Sequence, residues 1–579
     1  MIIPTLQFDF HFGKGKTLNP VIFTNPVKII ATSDINKIHS CLEEVKKAIR
    51  DGYYVAGFMS YEATYAFYNI DQTIESELPL LWFGLFQEPI DQPIQVEQSD
   101  FSLSEWRMNV DRNAYLKRVY EVLQLIENGI AEQVNYTIPF EADFFGNSYA
   151  YYERLKAAQR SKYCAYLQFD EFDILSVSPE LFFSLDNGTV TVKPMKGTIQ
   201  RGKTFEEDEQ KRNWLEQSIK NKIENDLIAE LMQNELNLIA NDVTIYDQYS
   251  IEKYPTVYQM TTTVKGKLKS NVDLINILTS LFPCGSISGI PKRETIEIIA
   301  NIERKARGVY CGAIGYFAPD GDAIFNVPIR TVTIDKSKHI ARYNAGGAIT
   351  SRSIPDEEFN EIIAKTKVLT TFHTPFQLLE TILLEDGKIF LKQYHIRRLM
   401  NSANYFDIPI HETIIQNKLK QLEKNYPKEK WRIRLLVDFD GNVTTEVYPL
   451  NETKQYRVIL ADFPINRQNV FLYHKTTERS TFIEHRNKLT KDDLDVLLWN
   501  EDGEITEFTI GNVVVQKNGE LITPPVNSGL LPGTFRQYLL DRGEIREEKV
   551  HIDELQDIES MWLINSVRKW IKVSLQHNK

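Results

Sequence analysis

The spacing of hydrophobic and polar positions changes period several times along the chain. TVTVK (189–193) alternates residue by residue, as a half-buried strand does, and Asn187-Gly188 just before it is a strong short-range hairpin signal separating it from SPELFFSL. Amphipathic helical spacing covers roughly 112–129 and 205–240, and strands are expected at roughly 181–193 and 308–334. A further helical stretch, DEEFNEIIAKTKVLTTF (356–372), ends in HTPF, and a new succession of short apolar runs begins at LLETILLEDGKIFL. Asp386-Gly387, Asp440-Gly441, Asp502-Gly503 and Asn518-Gly519 punctuate those runs. Each pair marks a tight turn, so the C-terminal part reads as an antiparallel meander interrupted by helices such as YHIRRLMNSANYF (394–406). Two α+β domains are therefore expected, 1–372 and 373–579. A doubly wound parallel sheet does not fit, because strand and helix do not alternate regularly and no glycine-rich phosphate loop follows a strand.

Composition narrows the function class. A chain of 579 residues exceeds one ordinary core, and 42% hydrophobic with 25% charged residues is ordinary usage for a globular protein. The net charge of −12 and the lack of a basic arm argue against nucleic acid. Cys41, Cys164, Cys284 and Cys311 are too few and scattered for a disulfide framework or a zinc cluster. No secretory pattern opens the sequence and no run approaches membrane-spanning length, so a cytoplasmic enzyme without membrane attachment is expected.

Two constellations carry candidate chemistry. If Asn187-Gly188 forms the turn, Glu180 lies level with Met195, one residue from Lys196. A meeting of Glu180 and Lys196 then needs a break in the pleat, which Pro179 and Pro194 could supply. On the residues alone, a strand-end salt bridge is the plainer reading. Glu358, Glu361 and Lys365 are spaced i, i+3 and i+7 and share one helix face, which suits either a solvated ion pair or a hard cation.

These pieces occur in order with others. SPELFF (178–183), KPMKGT (193–198), KIENDLIAELMQNEL (222–236), FPCGSISGIPKRETIEII (282–299), CGAIGYF (311–317), VPIRT (327–331) and GGAITSRSIPDEEFNEIIAK (346–365) together resemble the chorismate-utilising enzymes. That resemblance implies a two-layer domain of antiparallel sheets and helices around a chorismate site. It assigns Glu224, Glu358 and Glu361 to Mg2+, and Arg330, Lys365 and Gly346 to substrate, with Tyr316 lining the pocket. The P-x-K-G-T lysine is similar to that of the aminodeoxychorismate synthase branch, where it is a nucleophile. Lys196 would attack chorismate and Glu180 would carry the proton of the departing hydroxyl. Three departures from the family pattern stand out: Gln259 where a histidine is usual, Asn221 in place of an acidic residue, and the altered segment AELMQNEL (229–236). None of the four cysteines sits in a G-x-C-x-G elbow, so a separate glutamine amidotransferase is expected to supply ammonia.

The second domain resembles the pyridoxal phosphate enzymes of fold type IV, and among them the aminodeoxychorismate lyases. HIRRL (395–399), HKTTERSTFIE (474–484), GEITEFTIGNVVV (503–515), GLLPGTFR (529–536) and NSVRKW (565–570) carry that resemblance. It implies that Lys475 forms the Schiff base, that Glu507 pairs with the pyridine nitrogen, and that Arg398 binds the phosphate. The backbone N–H groups of Ile510, Gly511, Thr534 and Phe535 would complete the anion site. A homodimer through this domain is a further expectation. The smaller second domain would then consume the product of the first, giving 4-aminobenzoate for folate synthesis. An aminase domain fused to a D-amino acid or branched-chain type aminotransferase, an anthranilate-type synthase and a non-catalytic chorismate-binding module are the alternatives.

Overall fold

The computed structural model describes the chain except residues 1–2, 12–19, 71–73, 95–99, 371–375, 451–455, 488, 491–492 and 577–579. The expected boundary at residue 373 lies outside the described residues. Contacts divide the chain into two compact units, Met1–Gln200 with Arg212–Phe372, and Arg201–Lys211 with His373–Lys579. The split expected from sequence omits the excursion Arg201–Lys211. Within the second unit Tyr405 secures it, its hydroxyl donating to Gly202 O at 2.8 Å.

The first unit holds two ten-stranded sheets. Each is antiparallel throughout its described pairings, including the long ladder between Gln133–Gly146 and Ile340–Thr350. Leu6, Phe8 and Leu167 from one sheet and Ala56, Phe58 and Ile314 from the other share a buried cluster, so the sheets face each other across it. A larger cluster joins them to the helices Ile38–Arg50, Arg112–Glu127 and Ile219–Ile239.

Two sequence expectations change in detail. The helical stretch over 205–240 is two helices, Phe205–Gln217 and Ile219–Ile239. Ser218 leaves helical geometry to cap the second, its side chain accepting from Asn221 N. The strand expected over 308–334 is three, Ala313–Phe317, Ala323–Asn326 and Thr331–Asp335, separated by the Asp320-Gly321 turn and Pro328.

The second unit has a four-stranded antiparallel sheet, ordered Lys388–Ile389, Leu378–Glu385, Lys430–Val437 and Val443–Pro449. Helices Lys392–Phe406 and Glu412–Asn425 share its core. Its other sheet has eight strands, and a pairing of Ile505–Phe508 with Gly511–Lys517 closes six of them into a barrel. All four Asp-Gly and Asn-Gly pairs join paired strands. The meander expectation fails at Arg457–Leu460, which runs parallel to both neighbours. Its link to Asp493–Trp499 passes through the helix Ser480–Arg486, a crossover that brings the next strand back in the same direction. No described helix is long and apolar enough to cross a membrane.

Candidate active sites

A break in strand pairing creates the first site. Near the turn the hairpin keeps the expected register, Asp186 opposite Thr189 and Ser184 opposite Thr191, but a bulge then places Leu181 opposite Lys193. A second bulge follows on Met195–Gln200. Met195 pairs with Thr261 and Thr198 with Gln259, so Lys196 and Gly197 together face Met260 alone. Gly197 has φ +88°, and a Cβ there would sit 3.0 Å from that of Asn221 on the neighbouring helix. The glycine after the lysine is thus required by both backbone and space.

The bulge presents Lys196 toward Ser286. Lys196 Nζ donates to Ser286 O at 3.4 Å, and Ser286 Oγ donates to Glu180 Oε1 at 2.5 Å. Glu180 is 3% exposed, and burial raises its carboxyl to about 7 against the pull of Ser286 and Lys196. Burial likewise holds the Lys196 ammonium below its usual range; Glu180 and Glu224 oppose this, while Lys365 adds to it. Ser286 was not singled out from sequence, although it lies inside FPCGSISG.

Helix Pro355–Thr366 supplies the second group. Lys365 Nζ reaches Gly346 O and Glu361 Oε1, each at 2.7 Å. A Cβ on Gly347 would lie 3.2 Å from Glu358 Oε2, 3.9 Å from Glu361 Oε1 and 4.0 Å from Lys365 Nζ, so all three side chains converge above that glycine. Gly346 instead lets two strands close up, since a Cβ there would meet Tyr136 O. Burial and the like charge of Glu361 raise Glu358, whereas Lys365 lowers Glu361. Among the described residues no three acidic, His or Cys groups gather tightly enough to hold a metal unaided. The expected trio is therefore not a closed cage: Glu358 and Glu361 converge, while Glu224 acts on Lys196. Two adjoining carboxylates, one made reluctant to ionise by burial and by the other, still suit Mg2+, which takes one or two protein carboxylates and fills its shell with water and anionic substrate.

Arg330 adopts φ +50°, and its buried Nη1 has no hydrogen-bond partner, as expected of a group awaiting a carboxylate. Tyr316 is placed differently from expectation. Its ring packs against Phe8, Phe10 and Phe23 inside the inter-sheet core, where stacking and burial hold it. The tyrosines whose charge bears on Arg330 are Tyr343 and Tyr254.

In the second unit one cavity of about 490 Å³ gathers Lys475, Arg398 and Glu507 with Ile510, Gly511, Thr534 and Phe535. Lys475 is lowered to about 7 by burial and by Arg398 and Arg479, with Glu380 and Glu507 opposing. Glu507, 3% exposed, accepts from Leu531 N and Asn512 Nδ2, both at 3.1 Å, yet burial raises it to about 8. A cationic ring N–H in front of it would restore its charge, so the residue fits the pyridinium of pyridoxal phosphate. Arg398 is gripped by Glu380 through Nε at 2.8 Å and Nη2 at 2.7 Å, leaving Nη1 only a 3.4 Å contact with Pro532 O. Thr534 and Phe535 open the helix Thr534–Asp541, where first-turn N–H groups lack intrahelical acceptors. Ile510 departs from expectation, since it lines the cavity but its N–H already donates to Asp495 Oδ2 at 2.9 Å. The cavity also contains four arginines that sequence reading passed over, Arg432, Arg434, Arg479 and Arg568. The i, i+2 spacing of WRIR was the available signal for the first two.

Residues 10–371 match the family described as chorismate binding enzyme, and residues 377–575 match amino-transferase class IV. The aminodeoxychorismate synthase component 1 of Salmonella typhimurium is 33% identical over 264 residues, 45% of this chain and 58% of that protein. Anthranilate synthase component 1 of Saccharolobus solfataricus is 33% identical over 274 residues, 47% of this chain and 65% of that protein. The chain spans about half the length of the curated relatives it matches. Anthranilate synthase component I from Streptococcus pneumoniae shares the fold, with a TM-score of 0.52 and 23% identity over 63% of this chain and 90% of that one.

Proposed function

The chain belongs to the chorismate-binding enzymes, and from that premise we propose that it aminates chorismate to 4-amino-4-deoxychorismate and then eliminates pyruvate to leave 4-aminobenzoate. The observation that supports the first step best is Lys196 set against Glu180 through Ser286. Uncharged Lys196 Nζ forms a bond to C2 of chorismate, the ring double bonds shift, and the C4–O bond breaks. The hydroxyl takes the Glu180 proton and leaves as water. Ammonia then bonds to C4, gives a proton back to Glu180, and the C2–N bond breaks to release Lys196. Arg330 and Lys365 hold substrate carboxylates during both displacements. Bound at Glu358 and Glu361, Mg2+ would neutralise the ring carboxylate.

The second step rests on the Lys475, Glu507 and Arg398 cavity. Pyridoxal phosphate supplies an electron sink when bound. Lys475 is poised near neutrality to take the C4 proton, Glu507 fixes the ring nitrogen end, and Arg398 with the Thr534 helix start fixes the anionic end. Loss of that proton and cleavage of the C3–O bond expel pyruvate, which is protonated as it leaves, and the ring becomes aromatic. Ammonia would reach the chain from a separate glutamine amidotransferase. Burial pushes the Cys164, Cys284 and Cys311 thiols up, which suits inert core residues rather than a glutaminase nucleophile.

The test is to incubate the purified chain with chorismate, Mg2+, pyridoxal phosphate and excess ammonium, and to identify the products chromatographically. 4-Aminobenzoate with equimolar pyruvate is expected. Accumulated aminodeoxychorismate would transfer the second unit to the transaminase reading that its class IV family also fits, and anthranilate would overturn the role of Lys196.

A further inference from the structure

The cavity around Lys475 holds more positive charge than its cofactor chemistry uses. Six of its lining side chains are cationic, Arg398, Arg432, Arg434, Lys475, Arg479 and Arg568. Four of them face carboxylates: Glu380 grips Arg398, Glu446 pairs with Arg434 at 2.7 Å, and Glu507 acts on both Lys475 and Arg479. Arg432 and Arg568 have no ion pair or side-chain hydrogen bond among the described residues, and the Nε of each is buried without a partner. An orphaned buried donor is rare and costly unless a ligand meets it.

Both arginines are held in place. Arg432 and Arg434 point to one face of the strand Lys430–Val437, opposite Leu383 and Thr381, and that face lines the cavity through Leu379, Thr381 and both arginines. Arg432 lies over the Tyr448 ring at 5.0 Å, a contact that orients the guanidinium without neutralising it. Arg568 sits on a turn closed by Asn565 Oδ1, which accepts from Val567 N at 3.0 Å and Arg568 N at 2.8 Å. Arg432 and Arg568 line the same cavity, and burial first, then the like charge of Arg432, hold the Arg568 guanidinium below its usual range.

We propose that Arg432 and Arg568 form a clamp for the carboxylates of a cyclic dicarboxylate, and that this clamp selects such a substrate over simple monocarboxylic amino acids. The proposal rests on the lyase reading of the second unit, whose substrate carries a ring carboxylate and an enolpyruvyl carboxylate. A monocarboxylate leaves one arginine buried and unmet, and a site built to pair a group rejects ligands that lack it.

The test uses the full chain loaded with pyridoxal phosphate, with cofactor absorbance confirming loading in every variant. Calorimetric titration compares 3-(carboxymethoxy)benzoate with 3-methoxybenzoate, which differ by one carboxylate. The parent chain is expected to prefer the dianion by roughly tenfold to hundredfold, and Arg432→Gln and Arg568→Gln each to lose most of that preference. With aminodeoxychorismate as substrate, each variant should raise KM by a similar factor while kcat changes less than about threefold, and Arg568→Lys should recover part of the loss. Absence of a dianion preference in the parent chain, or its survival in both glutamine variants, overturns the clamp. Should a glutamine variant fail to load cofactor, Arg432→Lys and Arg568→Lys decide the same question by a partial loss of preference. A parent chain that releases no 4-aminobenzoate yet shows the preference would remove the lyase reading and keep the clamp.

Discussion

Ser286 Oγ donates to Glu180 Oε1 across 2.5 Å, while the carbonyl of the same residue accepts from Lys196 Nζ. The proposed acid and nucleophile are thereby coupled through a neutral residue. In direct contact each would hold the other in its charged form, giving an ammonium that cannot attack and a carboxylate that cannot donate. With Ser286 between them burial dominates at both, raising Glu180 to about 7 and lowering Lys196. Ser286→Ala removes a bond that favours the carboxylate, so Glu180 should hold its proton to higher pH. The alkaline limb of the amination rate, followed at constant free ammonia, is expected to move up by about one pH unit. An unmoved limb would show that Glu180 is not the acid.

Lys196→Ala should lower amination by roughly a thousandfold or more, because the displacement loses its covalent route. Elimination from supplied aminodeoxychorismate should continue at the parent rate, since Lys475 and Glu507 are untouched. Product analysis on both substrates separates a lost nucleophile from a lost fold, and amination at the parent rate would dismiss Lys196 as the attacking group.

Gly197→Ala tests the bulge itself. At φ +88° any side chain is strained, and a Cβ would press on Asn221 at 3.0 Å. A cost of about 1–3 kcal/mol is expected, visible as a lower unfolding midpoint for the first unit. Amination should fall further than that destabilisation alone explains, because the strained bulge no longer aims Lys196.

Local chemistry was legible where it rests on short-range rules. Asn187-Gly188 and the four later turn pairs mark real hairpins, and the i, i+3, i+7 spacing brings Glu358, Glu361 and Lys365 above Gly347. Long-range pairing was not. The bulge that turns Lys196 depends on Val257–Leu268, a strand some sixty residues away in sequence, and the closure of the barrel depends on strands whose order no local pattern records. Tyr316 shows the same limit: the apolar run AIGYF marks a buried position, but only the facing sheet decides that Phe8, Phe10 and Phe23 surround it. Arg432 and Arg568 read as ordinary surface charge until the fold places them in one cavity.

Glu380 makes the second unit acid-sensitive. Although burial opposes its charge, Arg398 and His395 hold its carboxyl down at about 2. A depressed carboxyl stabilises the fold fully above its unfolded value near 4.5 and loses that contribution as pH falls from there toward 2. Glu380→Gln should flatten this acid limb and cost about 3 kcal/mol at neutral pH, because Arg398 loses its buried counter-charge. Denaturant unfolding across that pH range checks both effects; an acid limb that persists in the variant would assign it to other carboxylates.

Glu358 provides the most direct test of the cation. Its carboxyl is raised by burial and by Glu361, while Lys365 holds Glu361 down, so Glu358 is the member of the pair that resists ionisation. A divalent ion reverses that balance by favouring both charges at once, and its binding must then release protons. Mg2+ titrated with chorismate into the parent chain should therefore bind more tightly as pH rises from 5 to 7, with proton release measurable in buffers of different ionisation heat. Glu358→Gln removes one charge and most of that proton release, and should raise the Mg2+ concentration for half-maximal amination by roughly tenfold or more. A chelator should abolish amination while leaving elimination from aminodeoxychorismate intact, since the proposed elimination uses Lys475, Glu507 and Arg398 and no metal ion. Mg2+ affinity independent of pH and of Glu358 would place the ion on other groups and leave the raised carboxyl as a substrate-side acid.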